Sequence, residues 1–120
     1  MPDMYCDHKK EHEKAVLRAK EGILSLSDTQ KIGEIFRVLA DPTRLRIVLA
    51  LLHGEMCVYH LAEVCDGTHS AISHQLRVLR DNKIVKAKRY GKNVEYSLAD
   101  EHVYEIVTLA VKHLACDEEA

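Results

Sequence analysis

A mainly helical chain with one small β-hairpin is what these 120 residues predict, and three observations predict it. Apolar residues recur at helical spacing through most of the length. Two short runs near residue 90 instead alternate apolar and polar, with a glycine-containing loop between them. The composition has no Trp, one Phe and only 5% aromatic residues. A core drawn from that set must be aliphatic, which suits packed helices.

Residues 1–11 read as a flexible, polar N-terminal segment, and residues 12–120 as a single domain, since no Gly/Ser-rich linker divides the chain. From His12 to about Ser25, Ala15, Val16, Ala19, Ile23 and Leu24 mark a first helix. Ser27 or Asp28 is the expected cap of a second, carrying Ile32, Ile35, Phe36 and Leu39. Asp41 then caps a third, with Pro42 at its first position, where the missing N–H costs nothing. That helix is expected to turn Leu45, Val48, Leu49 and Leu52 inward and to close at Gly54.

Residues 56–64 and 69–82 predict two short helices, with Gly67 as the turning residue between them, the size and separation of a helix-turn-helix. In the second, Ala71, Ile72, Leu76 and Leu79 form the inward stripe. Ser70, Ser73, His74 and Arg77 gather on the other face with Gln75 nearby, a set suited to base edges and phosphates in a major groove. Strands follow over Ile84–Arg89 and Val94–Leu98, joined by Tyr-Gly-Lys-Asn. Val85 and Ala87 face one side, and Lys86 and Lys88 the other. A helix-turn-helix followed by a hairpin with a basic tip (Arg89, Lys92) is the winged helix-turn-helix arrangement.

The net charge of −2 conceals a strong asymmetry. Residues 68–92 hold seven basic residues and one acidic residue, a net +6, which leaves −8 for the rest. A basic stripe on an acidic protein is an electrostatic footprint for nucleic acid. No apolar run approaches the roughly 20 residues of a membrane span. The first fourteen residues contain no signal-like apolar stretch, so a cytoplasmic location with four reduced cysteines is expected.

The final helix carries the metal chemistry. His102 and His113 fall on one face, roughly 16 Å apart, too far to share an ion whose bonds to histidine are about 2 Å. Each has a second donor beside it: Asp100 for His102, and Cys116 for His113. Pairing this helix antiparallel with its copy brings Asp100 and His102 of one chain to His113 and Cys116 of the other, giving two symmetric four-ligand sites. The competing reading makes Asp100 a helix cap and places His113 favourably at the C-terminal dipole.

From about Ile32 to Leu114, the chain resembles the ArsR/SmtB family of metal-sensing transcriptional repressors. The resemblance is carried by LADPTRLRIVLALL, EMCVYHLAEV, SAISHQLRVLRDNKIV, KAKRYGKNVEYSL and the final Asp-x-His…His-x-x-Cys helix. It implies a homodimer built by the first and last helices, which holds operator DNA when metal-free and releases it on binding zinc or cadmium. Asp100, His102 and His113 match the family's ligand pattern. Cys116 departs from it, and Asp117 or Glu118 is the alternative fourth ligand. It also implies that His113 reaches outward to the backbone of the recognition helix near His74. A second site is implied at Cys57 and His60, completed by Cys6, His8 and His12, against the plain alternative that Cys57 merely packs. Cys65 reads as packing, and His53, His69 and His74 as surface or DNA-facing residues.

Two other readings remain open: a winged-helix repressor that responds to thiol oxidation, and a metal buffer that does not act on DNA. An enzyme is not expected, because no nucleophile–base constellation or phosphate-cradling glycine loop is present.

Overall fold

A computed structural model describes residues 9–119 of the chain. The described helices are α1 (Lys9–Gly22), α2 (Leu26–Ala40), α3 (Pro42–Leu51), α4 (Val58–Val64), α5 (His69–Asp81) and α6 (Glu101–Glu119). Strand β1 (Met56–Cys57) precedes α4, and β2 (Val85–Tyr90) and β3 (Asn93–Leu98) lie between α5 and α6. The chain divides into two compact units, Met1–Ile32 and Gly33–Ala120. Among the described residues, no helix is long and apolar enough to cross a membrane.

The second unit is organised around an aliphatic core, as the composition requires. Val38, Leu39, Ile47, Val48, Leu51, Leu61, Ile72, Leu76, Leu79, Ile84, Val85 and Val107 are all buried. Each such side chain contributes about 1.5–3 kcal/mol relative to exposure. The core joins α3, α4 and α5 to one face of the sheet, while α6 contributes Val107 with Val103 packed beside it. Of the expected inward residues of α3, only Val48 is fully buried; Ile47, Ala50 and Leu51 join it, while Leu49 and Leu52 are partly buried. In a ten-residue helix enclosed by α4, α5 and the sheet, the apolar stripe is wider than a surface-helix pattern anticipates. Ala71 likewise is exposed, leaving Ile72, Leu76 and Leu79 as the stripe of α5.

Local signals set most boundaries. Asp41 Oδ2 accepts from the Arg44 N–H at 3.0 Å and Pro42 opens α3, as expected. Thr68 Oγ1 caps α5 through the Ala71 N–H at 3.1 Å. The cap of α2 is Ser25, whose Oγ accepts from the Asp28 N–H, rather than Ser27 or Asp28. The first helix runs three residues further toward the N-terminus than expected and ends at Gly22, before Ser25. Residues 9–11 of the expected flexible segment are therefore helical, while Cys6 and His8 lie outside the described residues.

Residues 56–64 do not form one helix. Met56 and Cys57 pair antiparallel with Tyr96 and Glu95 as the outer strand of a three-stranded sheet ordered β1-β3-β2. Two residues are too few for a period-2 pattern, so only the partner strand identifies them. The hairpin pairs Val85 with Leu98 through Tyr90 with Asn93. Its two-residue loop has Gly91 at φ 64°, the glycine-first arrangement of a type II′ turn.

The helix-turn-helix turn is closed by Asp66, at φ 53°, not by Gly67. The Gly67 N–H bonds back to Ala62 O and the Asp66 N–H to Glu63 O, a Schellman closure of α4. Gly67 packs closely on the core: an added Cβ would stand 3.1 Å from Ile72 Cδ1, which would have to shift by a few tenths of an ångström. The same closure ends α5: Ile84 N–H to Leu79 O, Lys83 N–H to Arg80 O, and Lys83 at φ 60°. A lysine in the left-handed region carries a steric cost of roughly 1–2 kcal/mol. Replacing it with glycine relieves that cost and returns part of it as unfolded-state entropy. Lys83→Gly should therefore raise stability by about 0.5–1 kcal/mol, read as a higher urea midpoint at unchanged slope.

Candidate functional site

The core orients α5. With Ile72, Leu76 and Leu79 held inward, a turn of about 100° per residue places Ser70, His74 and Arg77 on the opposite, solvent-facing side. All three are exposed. Ser73, half-buried, sits on the flank toward the sheet, with its Oγ 3.5 Å from His69 Nδ1. The His69 ring also meets Tyr59 of α4, centroid to centroid at 4.7 Å. This aromatic contact ties the two helices of the motif together at their exposed edge.

Gln75 is placed differently from its expected companions. It lies half-buried on the other flank of α5, where its Oε1 accepts from Arg44 Nη1 at 3.2 Å. The same guanidinium donates through Nε to Val38 O, a carbonyl of the last turn of α2, at 2.8 Å. Arg44 thus satisfies an orphan helix-end acceptor and braces α5 against the end of α2. A charge pattern could not have revealed this link, because it joins residues 31 apart.

The wing presents Lys86, Lys88, Arg89 and Lys92, all exposed, and Lys86 and Lys88 alternate with the inward Val85 and Ala87 as expected. The Lys88 ammonium stands 5.2 Å from the centre of the Tyr90 ring. The Tyr90 hydroxyl donates to Glu55 at 3.3 Å, bracing the wing against the segment before β1.

On α6, Asp100 and His102 come together at the helix start. Asp100 Oδ1 accepts from the Val103 N–H at 3.0 Å and lies 3.7 Å from His102 Nδ1. Capping and ligation are thus not exclusive, since a carboxylate has two oxygens and the cap uses one. His113 and the exposed free thiol Cys116 lie toward the other end, while the Asp117 and Glu118 side chains fall outside the described residues. Among the described residues of one chain, no three His, Cys, Asp or Glu side chains gather into a metal-binding group.

What lies between the two pairs is informative. Val103 and Val107 take the packed side of α6, whereas His102, Ile106, Leu109 and His113 fall within about 60° of one another on an adjoining side, about 110° round the helix. Ile106 is 40% and Leu109 62% exposed. The pairs 102/113 and 106/109 share one midpoint, between residues 107 and 108. A two-fold axis there would set Ile106 against Leu109 and His102 against His113 in a single antiparallel register.

Of the second expected group, Cys57 is half-buried and ends β1 as the N-cap of α4, with His60 three positions later and exposed. Cys57 is therefore not a full turn inside a helix. N-cap and third-position side chains nonetheless reach one another across a helix start. His12 is exposed on α1. Cys65 packs against the core, and burial pushes its thiol pKa up despite the opposing Arg46 charge.

Residues 41–87 match the family of bacterial regulatory proteins named for arsR. The chain is 43% identical over 109 residues to a transcriptional repressor SmtB homolog of Synechocystis sp., covering 91% of this chain and 83% of the relative. It is 38% identical over 109 residues to a CadC homolog of Staphylococcus aureus, a cadmium resistance transcriptional regulatory protein, covering 90% and 89%. Its fold is similar to the solution structure of a homodimeric winged helix-turn-helix DNA-binding domain from Mycobacterium bovis, a possible ArsR-family regulator. The TM-score is 0.69 at 25% identity, covering 82% of this chain and 91% of that one.

The cap at Asp100 separates structure from charge. Asp100→Ala should cost about 1 kcal/mol of stability, whereas Asp100→Asn, an equal cap, should cost nearly none. Urea unfolding of the metal-free variants measures both.

Proposed function

The chain belongs to the arsR family of bacterial regulatory proteins, a family of DNA-binding regulators and not of enzymes, and from that premise we propose that it is a metal-responsive repressor. The metal-free homodimer holds operator DNA, and zinc, or cadmium, releases it. The observation that carries this reading is the stripe on α6: two exposed apolar residues bracketed by His102 and His113 about one shared midpoint, with Asp100 and Cys116 beside the histidines. Burying these apolar side chains against a second copy would be favourable, and their self-complementary register supports isologous pairing. The homodimeric Mycobacterium bovis domain and the cadmium-resistance relative support the same direction.

The donor set fits a borderline-soft cation: two imidazoles, one carboxylate and one thiolate, supplied as two from each chain. Zinc there would supply a four-coordinate link between the two helices. Asp100 and His102 would hold one end, and His113 and Cys116 of the other chain the opposite end. Because α6 follows β3 after only two residues, any change in how the paired α6 helices cross turns the wing and, through the sheet, α5. Two recognition helices read successive major grooves only when set about 34 Å apart, so a small rotation lowers operator affinity. A link from His113 toward the recognition helix near His74 would add to this coupling. Ser70, Ser73, His74 and Arg77 would contact bases and phosphates, and Lys86, Lys88, Arg89 and Lys92 the neighbouring backbone. Cys57 and His60, at the first positions of α4, would form the fixed half of a second site completed by Cys6, His8 and His12.

Fluorescence anisotropy on a palindromic operator from the protein's own promoter tests the proposal. Stoichiometric zinc should release the DNA, and chelator should restore binding. His113→Ala should abolish release while metal-free binding persists, and Cys116→Ser should impair the cadmium response more than the zinc response. Binding indifferent to every divalent metal would overturn the metal-sensing part and leave a repressor with another signal.

A further inference from the structure

The flank of α5 that faces the sheet opens into a cavity of about 420 Å3, lined by Ser73, Arg77, Arg80, Asp81 and Tyr96. Ser73, Arg77 and Arg80 follow one another at i, i+4 and i+7 along that flank, and Tyr96 reaches it from the middle of β3. No other described residue takes up either guanidinium or the Tyr96 hydroxyl in a hydrogen bond or ion pair. Two guanidiniums carry ten N–H donors and no acceptor, and the phenol adds another donor. Against them stands one carboxylate in the lining, Asp81. The cavity is rich in donors and short of acceptors, which selects an anion with several oxygens. A guanidinium matches phosphate in two parallel hydrogen bonds, so a phosphate ester fits better than a monatomic ion.

The position says which phosphate. An α-helix with its side chains is about 10–12 Å across, and a major groove about 12 Å wide. A helix inserted with Ser70, His74 and Arg77 toward the bases must therefore have its flanks against the phosphate walls. One flank is occupied by Gln75 and Arg44 within the protein. The other is this cavity.

We propose that the cavity between α5 and β3 seats one backbone phosphate of the operator, with Arg80 and Tyr96 as contacts beside Arg77, and with Asp81 weakening the grip. This rests on the DNA-binding reading above and adds Arg80, Tyr96 and Asp81 to it. Phosphate contacts set register and affinity without reading sequence. Asp81 then limits non-specific binding, because its repulsion acts on any duplex.

The test measures binding of the metal-free protein to the operator and to a scrambled duplex over a range of salt concentrations. Arg80→Ala should weaken both about tenfold and reduce the slope of log affinity against log salt by about one. Tyr96→Phe should weaken both less, with the slope unchanged. Asp81→Asn should tighten both several-fold, a direction that damage to the fold cannot produce. Wild-type affinity and slope in Arg80→Ala would overturn the proposal, as would a loss confined to the operator, which would make Arg80 a base reader. Inorganic phosphate that saturates the cavity at micromolar concentration in an Arg80-dependent way, without displacing DNA, would show a small-anion site and overturn it too. Failure of the unsubstituted protein to bind any duplex would bring down the DNA-binding reading itself.

Discussion

A core of thirteen small aliphatic side chains, all between Val38 and Val107, covers only one side of each element packed around it. With no Trp and a single Phe, itself exposed, the core leaves apolar surface of the longest helix, α6, uncovered. α1 has no buried residue, and α6 keeps Ile106, Leu109 and Leu114 in solvent. Large apolar faces left by a small core are the physical basis for association. Asp100, His102, His113 and Cys116 are exposed on that same helix, α6.

The core's second consequence is a rigid α5. Three inward aliphatic residues fix its roll, Arg44 braces one flank through Gln75, and a Schellman closure sends the chain directly into β2. Recognition requires this, because base contacts discriminate only when the donors are held in place. The wing is braced separately by Tyr90 and Glu55, yet it shares the sheet with β1 and leads into α6. The helix-turn-helix, the wing and α6 are thus covalently continuous, the kind of connection that a coupling free energy between distinct sites requires.

Much of this was legible in the residues. Helical periodicity, the Asp41-Pro42 break, the alternating strands around Gly91 and the +6 stripe all act within a few positions. They place the two helices of the helix-turn-helix and the hairpin correctly. The misplacements share one cause. β1 exists because Tyr96 and Glu95 lie alongside it, and Gln75 turns inward because Arg44 is there. In each case the deciding partner is distant in sequence or set by packing.

By itself, then, the sequence determined the order of the elements, the aliphatic character of the core, the basic stripe over residues 68–92 and the His, Asp and Cys side chains toward each end of the last helix. Those are properties of local periodicity, capping chemistry and charge. Only the tertiary structure decided which residues of α3 are buried, that a third strand closes the sheet, and that Arg77, Arg80 and Tyr96 converge on one cavity. It also decided that Ile106 and Leu109 stay uncovered between the two histidines. Burial and convergence depend on what packs against a segment, and no window along the chain contains that information.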